Sequence, residues 1–246
     1  MSKQRLKFDL LVHDLKVPLA VIEAGATSLL QRMEKYGPLT DKQIKVMNRI
    51  LRNTINTKRL VNDALELGRS SEGIIHKTQF LVSDFIEESL VEIFDLTDSE
   101  AAESIKDCAN LTASKQALES RGIFLEIDEG LWCRKISLDE SKIKQVLRNL
   151  LNNALKYRKN RIELTLQEND NALQISVADD GDGIPADYHE RIFECYFQMD
   201  MEEQHCVRGH GLGLAGVMIL VEDMGGTLNL ESDLGQGTLF SVKIPY

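Results

Sequence analysis

Two clusters of glycine, about thirty residues apart, constrain this chain more than any other sequence feature. The first cluster, Gly181 and Gly183, follows an alternating apolar run that predicts a strand ending at Asp179. The second cluster stands directly before an apolar helical pattern and comprises Gly209, Gly211 and Gly213. A glycine-lined helix start exposes backbone N–H groups and the positive end of the helix dipole, which suits phosphate. The clusters therefore predict a nucleotide pocket, with two unrelated turns as the alternative.

A polar stripe on one predicted helix supplies further groups for such a pocket. An S-x-x-E capping box at Ser137–Glu140 predicts the start of a helix that runs to about Tyr157. Its buried face is predicted to contain Ile143, Val146, Leu147, Leu150, Leu151 and Ala154. Asn149, Asn153 and Lys156 fall within about 60° of one another on the other side, at about 100° per residue. Amide oxygens suit Mg²⁺ and an ammonium group suits phosphate, although a solvated polar face is the alternative.

The N-terminal part of the chain predicts a pair of helices. A heptad seam runs through residues 5–36 and comprises Phe8, Val12, Leu15, Leu19, Ile22, Ala26, Leu29 and Met33. Gly37 and Pro38 end this helix, and a second helical pattern spans about residues 40–69, with Gly68 and Gly73 marking its end. Two helices alone cannot bury such a seam on both sides. We therefore expect the hairpin to pair with a second copy as a twofold-symmetric four-helix bundle.

His13 and Pro18 lie close together in the first predicted helix. His13 stands next to the seam residue Val12, so it is expected to point partly to solvent, as an ordinary surface histidine also does. Pro18 removes a helix hydrogen bond and is expected to kink the helix. A bend beside a reactive group is one reason for a proline inside a strong heptad pattern.

The remaining segments predict a mixture of short strands and helices. Helical patterns lie near residues 81–93 and 187–197, the latter with Ile192, Phe193, Tyr196 and Phe197 as packing anchors. Strands are predicted at residues 123–127, 131–133, 161–167, 172–177, 228–230 and 239–244, with turns at Asn169–Asp170 and Gly235–Gly237. The polar segment 98–120 is predicted to be a solvated helical insertion, with a dynamic linker as the alternative. The acidic segment 198–208 joins the two glycine clusters and is interpreted as a lid.

The charge of −10 is distributed unevenly along the chain. Residues 1–76 carry +5, residues 77–137 carry −7 and residues 138–246 carry −8. This pattern offers no broad basic face for nucleic acid, and the basic first segment suits an acidic protein partner unless it is ordinary surface variation. No apolar run reaches the length of a membrane span, and no signal peptide is visible. The four cysteines lack C-x-x-C spacing, so we expect reduced thiols in a cytoplasmic protein.

Six short motifs resemble, in order, those of the sensor histidine kinases of two-component systems. They are H-D-L-K-V-P at His13–Pro18, N-L-L-N-N-A-L-K-Y at Asn149–Tyr157, D-D-G-D-G at Asp179–Gly183, I-F-E-C-Y-F at Ile192–Phe197, G-H-G-L-G-L at Gly209–Leu214 and G-Q-G-T-L-F at Gly235–Phe240. The resemblance implies an α+β protein with two domains. Residues 1–76 would form a helical hairpin for dimerisation and histidine phosphotransfer, within a dimeric four-helix bundle. Residues 77–246 would form a catalytic ATP-binding domain, an α/β sandwich with a mixed sheet under helices.

The resemblance also implies ATP and Mg²⁺ as ligands of the second domain. Asp179 is expected to accept a hydrogen bond from the adenine amino group, and Tyr157 to border the base. Asn153 is expected to ligate Mg²⁺, with Asn149 and Lys156 near the phosphates. The other expected nucleotide-binding residues are Gly181, Gly183, Ile184, Arg208, Gly209, Gly211, Leu212, Gly213 and Thr238. Of these, Arg208 is the only arginine or lysine in the lid, so it is the candidate for contacting the γ-phosphate.

The implied chemistry is phosphoryl transfer to His13, with Asp14 orienting the imidazole and taking a proton from its other nitrogen. Related ATPases of this fold carry a water-activating glutamate four residues before the metal-binding asparagine. Here that position is Asn149, which favours transfer over hydrolysis. The family often has Thr or Asn four residues after the histidine, where it holds a water that dephosphorylates the partner. Val17 occupies that position and cannot hydrogen-bond, so weak phosphatase activity is expected.

The implied partners are a second copy of the chain and the receiver domain of a response regulator. Two other functions stay open: a nucleotide-binding pseudokinase or scaffold that regulates a partner kinase, and a hydrolytic ATPase. No sensor domain is visible in the sequence. The chain is therefore expected to be a fragment of a longer kinase, or a cytoplasmic kinase that receives its signal through another protein.

Overall fold

The computed structural model describes residues 3–70, 75–95, 98–106, 108, 110–195, 197 and 212–246. Within these ranges, the description of residues 3–14, 33, 56, 59, 60, 62–70 and 99 is limited to the backbone. The chain divides into two compact units, Met1–Glu72 and Gly73–Tyr246. Each unit is a separate structural body.

The first unit is a helical hairpin. It contains α1 (Lys3–Gln31), the short α2 (Met33–Tyr36) and α3 (Asp41–Ser70), and α1 packs along α3. Helix α3 begins with a reciprocal capping box, because Thr40 N donates to Gln43 Oε1 at 2.8 Å and Gln43 N donates to Thr40 Oγ1 at 3.4 Å. Helix α1 continues through Pro18 without interruption.

The predicted second helix, about residues 40–69 with Gly68 and Gly73 marking its end, corresponds to α3, which ends at Ser70. Gly68 lies in its last turn, because a glycine costs a helix only about 1 kcal/mol relative to alanine. The heptad seam is only partly covered within the hairpin: Ala26 is buried, whereas Leu15 and Ile22 are 43% and 46% exposed.

The second unit is a mixed sheet packed under helices, as predicted. Its helices are α4 (Val82–Phe94), α5 (Ser99–Lys106), α6 (Leu111–Glu119), α7 (Glu129–Trp132), α8 (Glu140–Tyr157) and α9 (Gly213–Asp223). Its strands are β1 (Thr78–Leu81), β2 (Ile123–Glu126), β3 (Lys135–Leu138), β4 (Ile162–Asn169), β5 (Ala172–Asp179), β6 (Thr227–Asp233) and β7 (Gly237–Pro245). Two 3₁₀ turns, Ala186–Tyr188 and Arg191–Phe193, follow β5.

The main sheet has the order β2-β4-β5-β7-β6, and β1 pairs with β3 in a separate ribbon. In this five-stranded sheet the β2–β4 pair is parallel, and the β4–β5, β5–β7 and β7–β6 pairs are antiparallel. One face of β5 buries Leu173, Ile175 and Val177, and α8 covers this strand with its apolar side. All six residues predicted for the buried side of α8 are buried, as their helical spacing required.

The segment predicted as a solvated insertion is helical but belongs to the core. Ala101, Ala102 and Ile105 of α5 are almost fully buried, as is Leu118 of α6. Helix α5 packs on α4, and α6 packs on β2. The expectation of a solvated segment is wrong because these four apolar side chains are part of the hydrophobic core of the second unit.

Three local predictions in the second unit are wrong. The strand expected at residues 131–133 is the end of α7, whose start is capped by the Asp128 carboxylate accepting from Leu131 N at 2.9 Å. Ser137 lies within β3, so the N-cap of α8 is Asp139, which accepts from Lys142 N at 3.2 Å. The turn expected at Asn169–Asp170 is shifted by one residue, and Asp170 and Asn171 adopt φ of 52° and 58°.

The segment predicted as a helix at residues 187–197 contains only 3₁₀ turns in its described part. Of its predicted anchors, Ile192 is buried and Phe193 meets Phe240 edge-on, with ring centroids 6.4 Å apart. Tyr196 and the lid at 198–208 lie outside the described residues. Cys108, Cys133 and Cys195 are free thiols, as expected, and Cys206 lies outside the described residues. Within the described ranges, the helices are too short or too polar to cross a membrane.

Candidate functional site

The loop after β5 presses against the C-terminal end of α8. Gly181 N donates to Asp179 Oδ1 at 2.8 Å, which folds the loop back over the end of the strand. A Cβ at Gly181 would lie 2.5 Å from the carbonyl oxygen of Tyr157 and 2.6 Å from Asp179 Oδ1. No other side chain fits this contact without moving the backbone. Gly181 therefore joins two of the six motifs, N-L-L-N-N-A-L-K-Y and D-D-G-D-G, in one place.

Asp179 carries a half-buried carboxylate at this junction. Burial raises its pKa above the ordinary value, the Gly181 N–H opposes that rise, and the neighbouring Asp180 carboxylate adds to it. A half-buried carboxylate with one oxygen tied to the backbone is a directed hydrogen-bond acceptor. It is chemically suited to a neutral donor such as an amino group of a base.

The second aspartate of the motif has a role that the sequence reading missed. Asp180 Oδ1 accepts from the backbone nitrogens of Lys159, Asn160 and Arg161 at 2.8, 3.0 and 3.0 Å. Hydrogen bonds from Arg161, Asn160 and Lys159 hold the pKa of Asp180 below its ordinary value, against a smaller effect of burial. Asp180 thereby ties the glycine loop to the connection between α8 and β4. An acid within a glycine loop was the only sequence signal for this role.

The turn between β6 and β7 closes another side of the same loop. Gly183 has φ of +73°, and a Cβ there would lie 2.0 Å from the Asp233 carbonyl oxygen. Gly237 has φ of +83°, and its Cβ would lie 2.0 Å from the Asp179 carbonyl oxygen. Both positions need glycine for conformation and for space. Thr238 then falls directly opposite Asp179 in the β5–β7 register.

Ser232 is a second residue that the sequence reading missed. Its Oγ accepts from Ile184 N at 2.8 Å, donates to the Gly237 carbonyl oxygen at 2.7 Å and lies 3.1 Å from Thr238 Oγ1. Ser232 thus connects the glycine loop to the β6–β7 turn and to the nearly buried Thr238. A serine at a strand end has no pattern that separates it from an ordinary turn residue.

The polar stripe of α8 faces the start of α9. Asn149 Nδ2 donates to the carbonyl oxygen of Gly213 at 3.3 Å, and Asn149 and Asn153 are both partly exposed. A Cβ at Gly213 would meet Asn149 only at 3.9 Å, which is ordinary contact. Lys156 Nζ donates to the Tyr157 hydroxyl at 2.8 Å and lies 4.6 Å from the centre of its ring. The ammonium group is therefore held beside the aromatic ring.

The structure brings together some of the sequence-predicted site residues. The β5 loop, the end of α8 and the β6–β7 turn assemble Tyr157, Asp179, Gly181, Gly183, Ile184 and Thr238. Asn149 and Gly213 form a second contact, and the neighbouring Leu212 is 5% exposed. Arg208, Gly209 and Gly211 lie outside the described residues. His13 and Asp14 lie in α1, and their side chains are also outside the description.

Known proteins are similar to this chain in sequence and in fold. Residues 138–246 match the family model described as "Histidine kinase-, DNA gyrase B-, and HSP90-like ATPase". The chain is 27% identical over 231 residues to the sensor histidine kinase YkoH of Bacillus subtilis, covering 94% of this chain and 45% of YkoH. It is 30% identical over 236 residues to the circadian input-output histidine kinase CikA of Synechococcus elongatus, covering 95% of this chain and 29% of CikA.

Among solved structures, full-length ShkA in complex with AMPPNP matches with a TM-score of 0.66 and 27% identity, covering 97% of this chain and 45% of ShkA. The chain spans less than half the length of each of these three relatives. The sequence matches and the structural match extend over nearly the whole chain. Residues 138–246 therefore form a domain of the histidine kinase-, DNA gyrase B- and HSP90-like ATPase family, and the chain is similar over nearly its whole length to sensor histidine kinases.

Proposed function

We propose that this protein is an ATP-dependent protein-histidine kinase that phosphorylates His13 and passes the phosphoryl group to an aspartate of a response regulator. Residues 1–76 are assigned to dimerisation and phosphotransfer, and residues 77–246 to ATP binding and catalysis. The observation that carries the proposal is the contact at Gly181, which joins the D-D-G-D-G loop to the end of the asparagine-bearing helix. The ATPase-family match of residues 138–246, the similarity to sensor histidine kinases and the AMPPNP bound to ShkA support it.

Asp179 is the proposed anchor for the adenine base. Its Oδ1 is held by the Gly181 N–H, so the carboxylate has a defined direction and retains lone pairs for the exocyclic amino group. Tyr157, which is 51% exposed at the end of α8, is proposed to border the base. The buried side chains of Ile184 and Leu212 are proposed to supply apolar contact to its faces.

The polar stripe of α8 is the proposed phosphate and Mg²⁺ side of the pocket. The bond from Asn149 to Gly213 holds this stripe at the start of α9, where free N–H groups favour phosphate. The amide oxygen of Asn153 is a hard ligand that fits Mg²⁺, and Lys156 is close enough in sequence to serve the phosphates. Bound Mg²⁺ would neutralise negative charge on the phosphates. The roles of Arg208, Gly209 and Gly211 rest on the sequence resemblance.

The proposed reaction transfers the γ-phosphoryl group to one nitrogen of the His13 imidazole. A nitrogen–phosphorus bond forms, the bond from phosphorus to the bridging oxygen of ADP breaks, and Asp14 takes the proton from the other ring nitrogen. Asn149 stands where related ATPases carry a glutamate, and an amide cannot act as a base toward water. The residue set therefore favours transfer to a side chain over hydrolysis.

The hairpin is proposed to dimerise through its exposed apolar residues. Leu15 and Ile22 of α1 and Val46 of α3 are each more than 40% exposed, although two of them belong to the heptad seam. Covering such side chains contributes about 25 cal/mol per Å² of apolar surface. A second copy related by a twofold axis would bury them in a four-helix bundle.

The experiment that tests the proposal is incubation of the full chain with γ-labelled ATP and Mg²⁺. Wild-type protein is expected to acquire an acid-labile label, and His13→Gln is expected to abolish it. His76→Gln is the matched control, because the His76 side chain is exposed and its backbone nitrogen, which the substitution keeps, donates to Asp139. Addition of candidate receiver domains should then move the label to one of them within seconds.

Two outcomes would contradict the proposal. Nucleotide binding without any label on wild-type protein would favour a pseudokinase or scaffold. Release of free phosphate at the same rate from wild type and His13→Gln would favour a hydrolytic ATPase.

A further inference from the structure

The hydroxyl of Ser232 has three hydrogen-bonding neighbours but only one proton to donate. The Ile184 N–H points at its oxygen from 2.8 Å, and the Gly237 carbonyl oxygen lies 2.7 Å away. The third neighbour is Thr238 Oγ1 at 3.1 Å. Which of the two hydroxyls donates to the other follows from how the first two contacts occupy the proton and the lone pairs of Ser232.

A carbonyl oxygen can only accept, so the single proton of Ser232 goes to Gly237. Ser232 must then accept from both remaining neighbours, the Ile184 N–H and the Thr238 hydroxyl. Thr238 accordingly commits its own proton to Ser232. In every other direction Thr238 offers only lone pairs, so toward a ligand it is an acceptor and not a donor.

Thr238 shares its face of the sheet with Asp179. The two residues are directly opposite each other on β7 and β5, and side chains of directly opposed residues point to the same face. An ionised Asp179 also only accepts, and one of its oxygens already takes the Gly181 N–H. Asp179 and Thr238 therefore both present acceptors to the candidate pocket.

We infer that Ser232 is a positioning residue for purine selection, acting through Thr238. By taking the Thr238 proton, Ser232 keeps a donor away from the base, so the pocket favours a purine with a 6-amino group over one with a 6-oxo group. The inference rests on the proposed ATP-binding function. A 6-oxo group placed beside Asp179 and Thr238 would receive a hydrogen bond from neither side chain, and leaving a buried acceptor unpaired is costly.

The test compares dissociation constants for Mg·ATP and Mg·ITP, which carry a 6-amino and a 6-oxo group, measured by calorimetry on the full chain. Ser232→Ala releases the Thr238 proton, so the preference for ATP over ITP is expected to fall about three- to tenfold, the equivalent of one hydrogen bond. Ser232→Thr keeps a hydroxyl and should keep the preference. In a Thr238→Val background, Ser232→Ala should leave the preference for ATP the same as in Thr238→Val alone, because no Thr238 hydroxyl remains whose proton could be redirected.

Ser241→Ala is the matched control for loss of a serine hydroxyl. Ser241 pairs with Ser176 at 2.9 Å across the same two strands, but three positions along β7 from Thr238 and so on the other face of the sheet. It should leave both affinities unchanged. Thermal unfolding of each variant is measured in parallel, because a merely structural Ser232 would weaken both nucleotides equally.

Two results would overturn the inference. One is an unchanged preference for ATP over ITP in Ser232→Ala. The other is a fall in preference on Ser232→Ala that is as large in the Thr238→Val background as in wild type. Failure of wild-type protein to bind either nucleotide would contradict the proposed function itself. A wild type that binds ATP while Ser232→Ala keeps the full preference would contradict only the role of Ser232.

Discussion

Both carboxylate oxygens of Asp180 lie 3.0 Å from the backbone nitrogen of Asn160. One of them also accepts from the nitrogens of the two flanking residues, so this side chain replaces the hydrogen-bond partners that the end of α8 and the start of β4 lack. In the candidate site Asp180 is therefore the link between the helix that bears the asparagines and the glycine loop. Its neighbour Asp179 instead accepts from the Gly181 N–H and is the carboxylate proposed to anchor the base.

Replacing Asp180 by alanine should lower the stability of the fold. The three N–H groups would then have only water as a partner, and we expect a loss of about 1 kcal/mol, a value kept small because the site is accessible to water. Asp180→Asn keeps one acceptor oxygen and should lose less. Asp182→Asn is the control, because the Asp182 side chain is exposed and pairs with the Lys159 ammonium, at 2.6 Å, rather than with backbone nitrogens in the described residues. Urea unfolding of the full chain at pH 7 measures the differences.

The same contact has a defined pH dependence. The folded-state pKa of Asp180 is lowered, so its contribution is present above the unfolded-state pKa of about 3.9 and is lost as pH falls through the folded-state value. The stability difference between wild type and Asp180→Ala should therefore be constant near neutral pH and shrink in acid. A difference that grows on acidification would contradict this reading.

Nucleotide binding should weaken on acidification because of Asp179. Burial raises the pKa of this carboxyl in the free protein, so it begins to protonate at a higher pH than an ordinary aspartate. Because the folded protein without nucleotide holds this proton more tightly than the unfolded chain does, protonation of Asp179 stabilises the fold. That contribution is lost as pH rises through the folded-state pKa. It also removes the charged acceptor proposed for adenine, so the dissociation constant of Mg·ATP should rise as pH falls.

Asp179→Asn should weaken Mg·ATP binding about ten- to a hundredfold, the equivalent of a hydrogen bond to a charged group, and remove this part of the pH dependence. Asp187→Asn is the control, because Asp187 is an exposed residue in the first 3₁₀ turn after β5. The dissociation constants are measured by calorimetry between about pH 5 and pH 8, in steps of roughly one pH unit. Proteins are usually most stable in this range. An unchanged pH dependence in Asp179→Asn would exclude this carboxylate as its source.

The two glycine clusters should differ in their tolerance of alanine. Gly181→Ala would place a Cβ 2.5 Å from the Tyr157 carbonyl oxygen, and the backbone must shift to relieve it. We expect a loss of roughly 1–3 kcal/mol, typical of overpacking. Gly213→Ala would meet only an ordinary contact at the start of α9, so its stability should change little. Denaturant unfolding of both variants tests the contrast, which would fail if the two losses were equal.

Val17 is proposed to limit phosphatase activity toward the partner. Its side chain is 53% exposed, so replacement should change stability by no more than about 0.5 kcal/mol. Val17→Thr introduces a hydroxyl able to hold a water, and should speed the loss of phosphate from a purified phosphorylated regulator. Val21→Thr, at a position that is 67% exposed, is the control. Rapid dephosphorylation by wild type, unaffected by either change, would contradict the proposal.

Local periodicity was sufficient to predict the elements that carry the site. The apolar side of α8 was correct at each position because a helix repeats every 3.6 residues, and the alternation in β5 located Asp179 at the strand end. The errors arose where short patterns have two readings. Ser137 matches a capping box, but pairing of β3 with β1 places it in a strand and leaves Asp139 to cap the helix. Residues 131–133 form an apolar run too short to separate strand from helix.

The amino-acid sequence by itself determined the resemblance to a family, the order of the six motifs and the residue types that can bind a nucleotide. The tertiary structure alone decided that Asp180 accepts from backbone nitrogens, that Ser232 accepts from the Ile184 backbone nitrogen and that Gly181 meets Tyr157. These contacts join loops far apart in the chain through main-chain atoms. Every residue carries the same main-chain groups, so no side-chain pattern in the sequence can show which of them will meet.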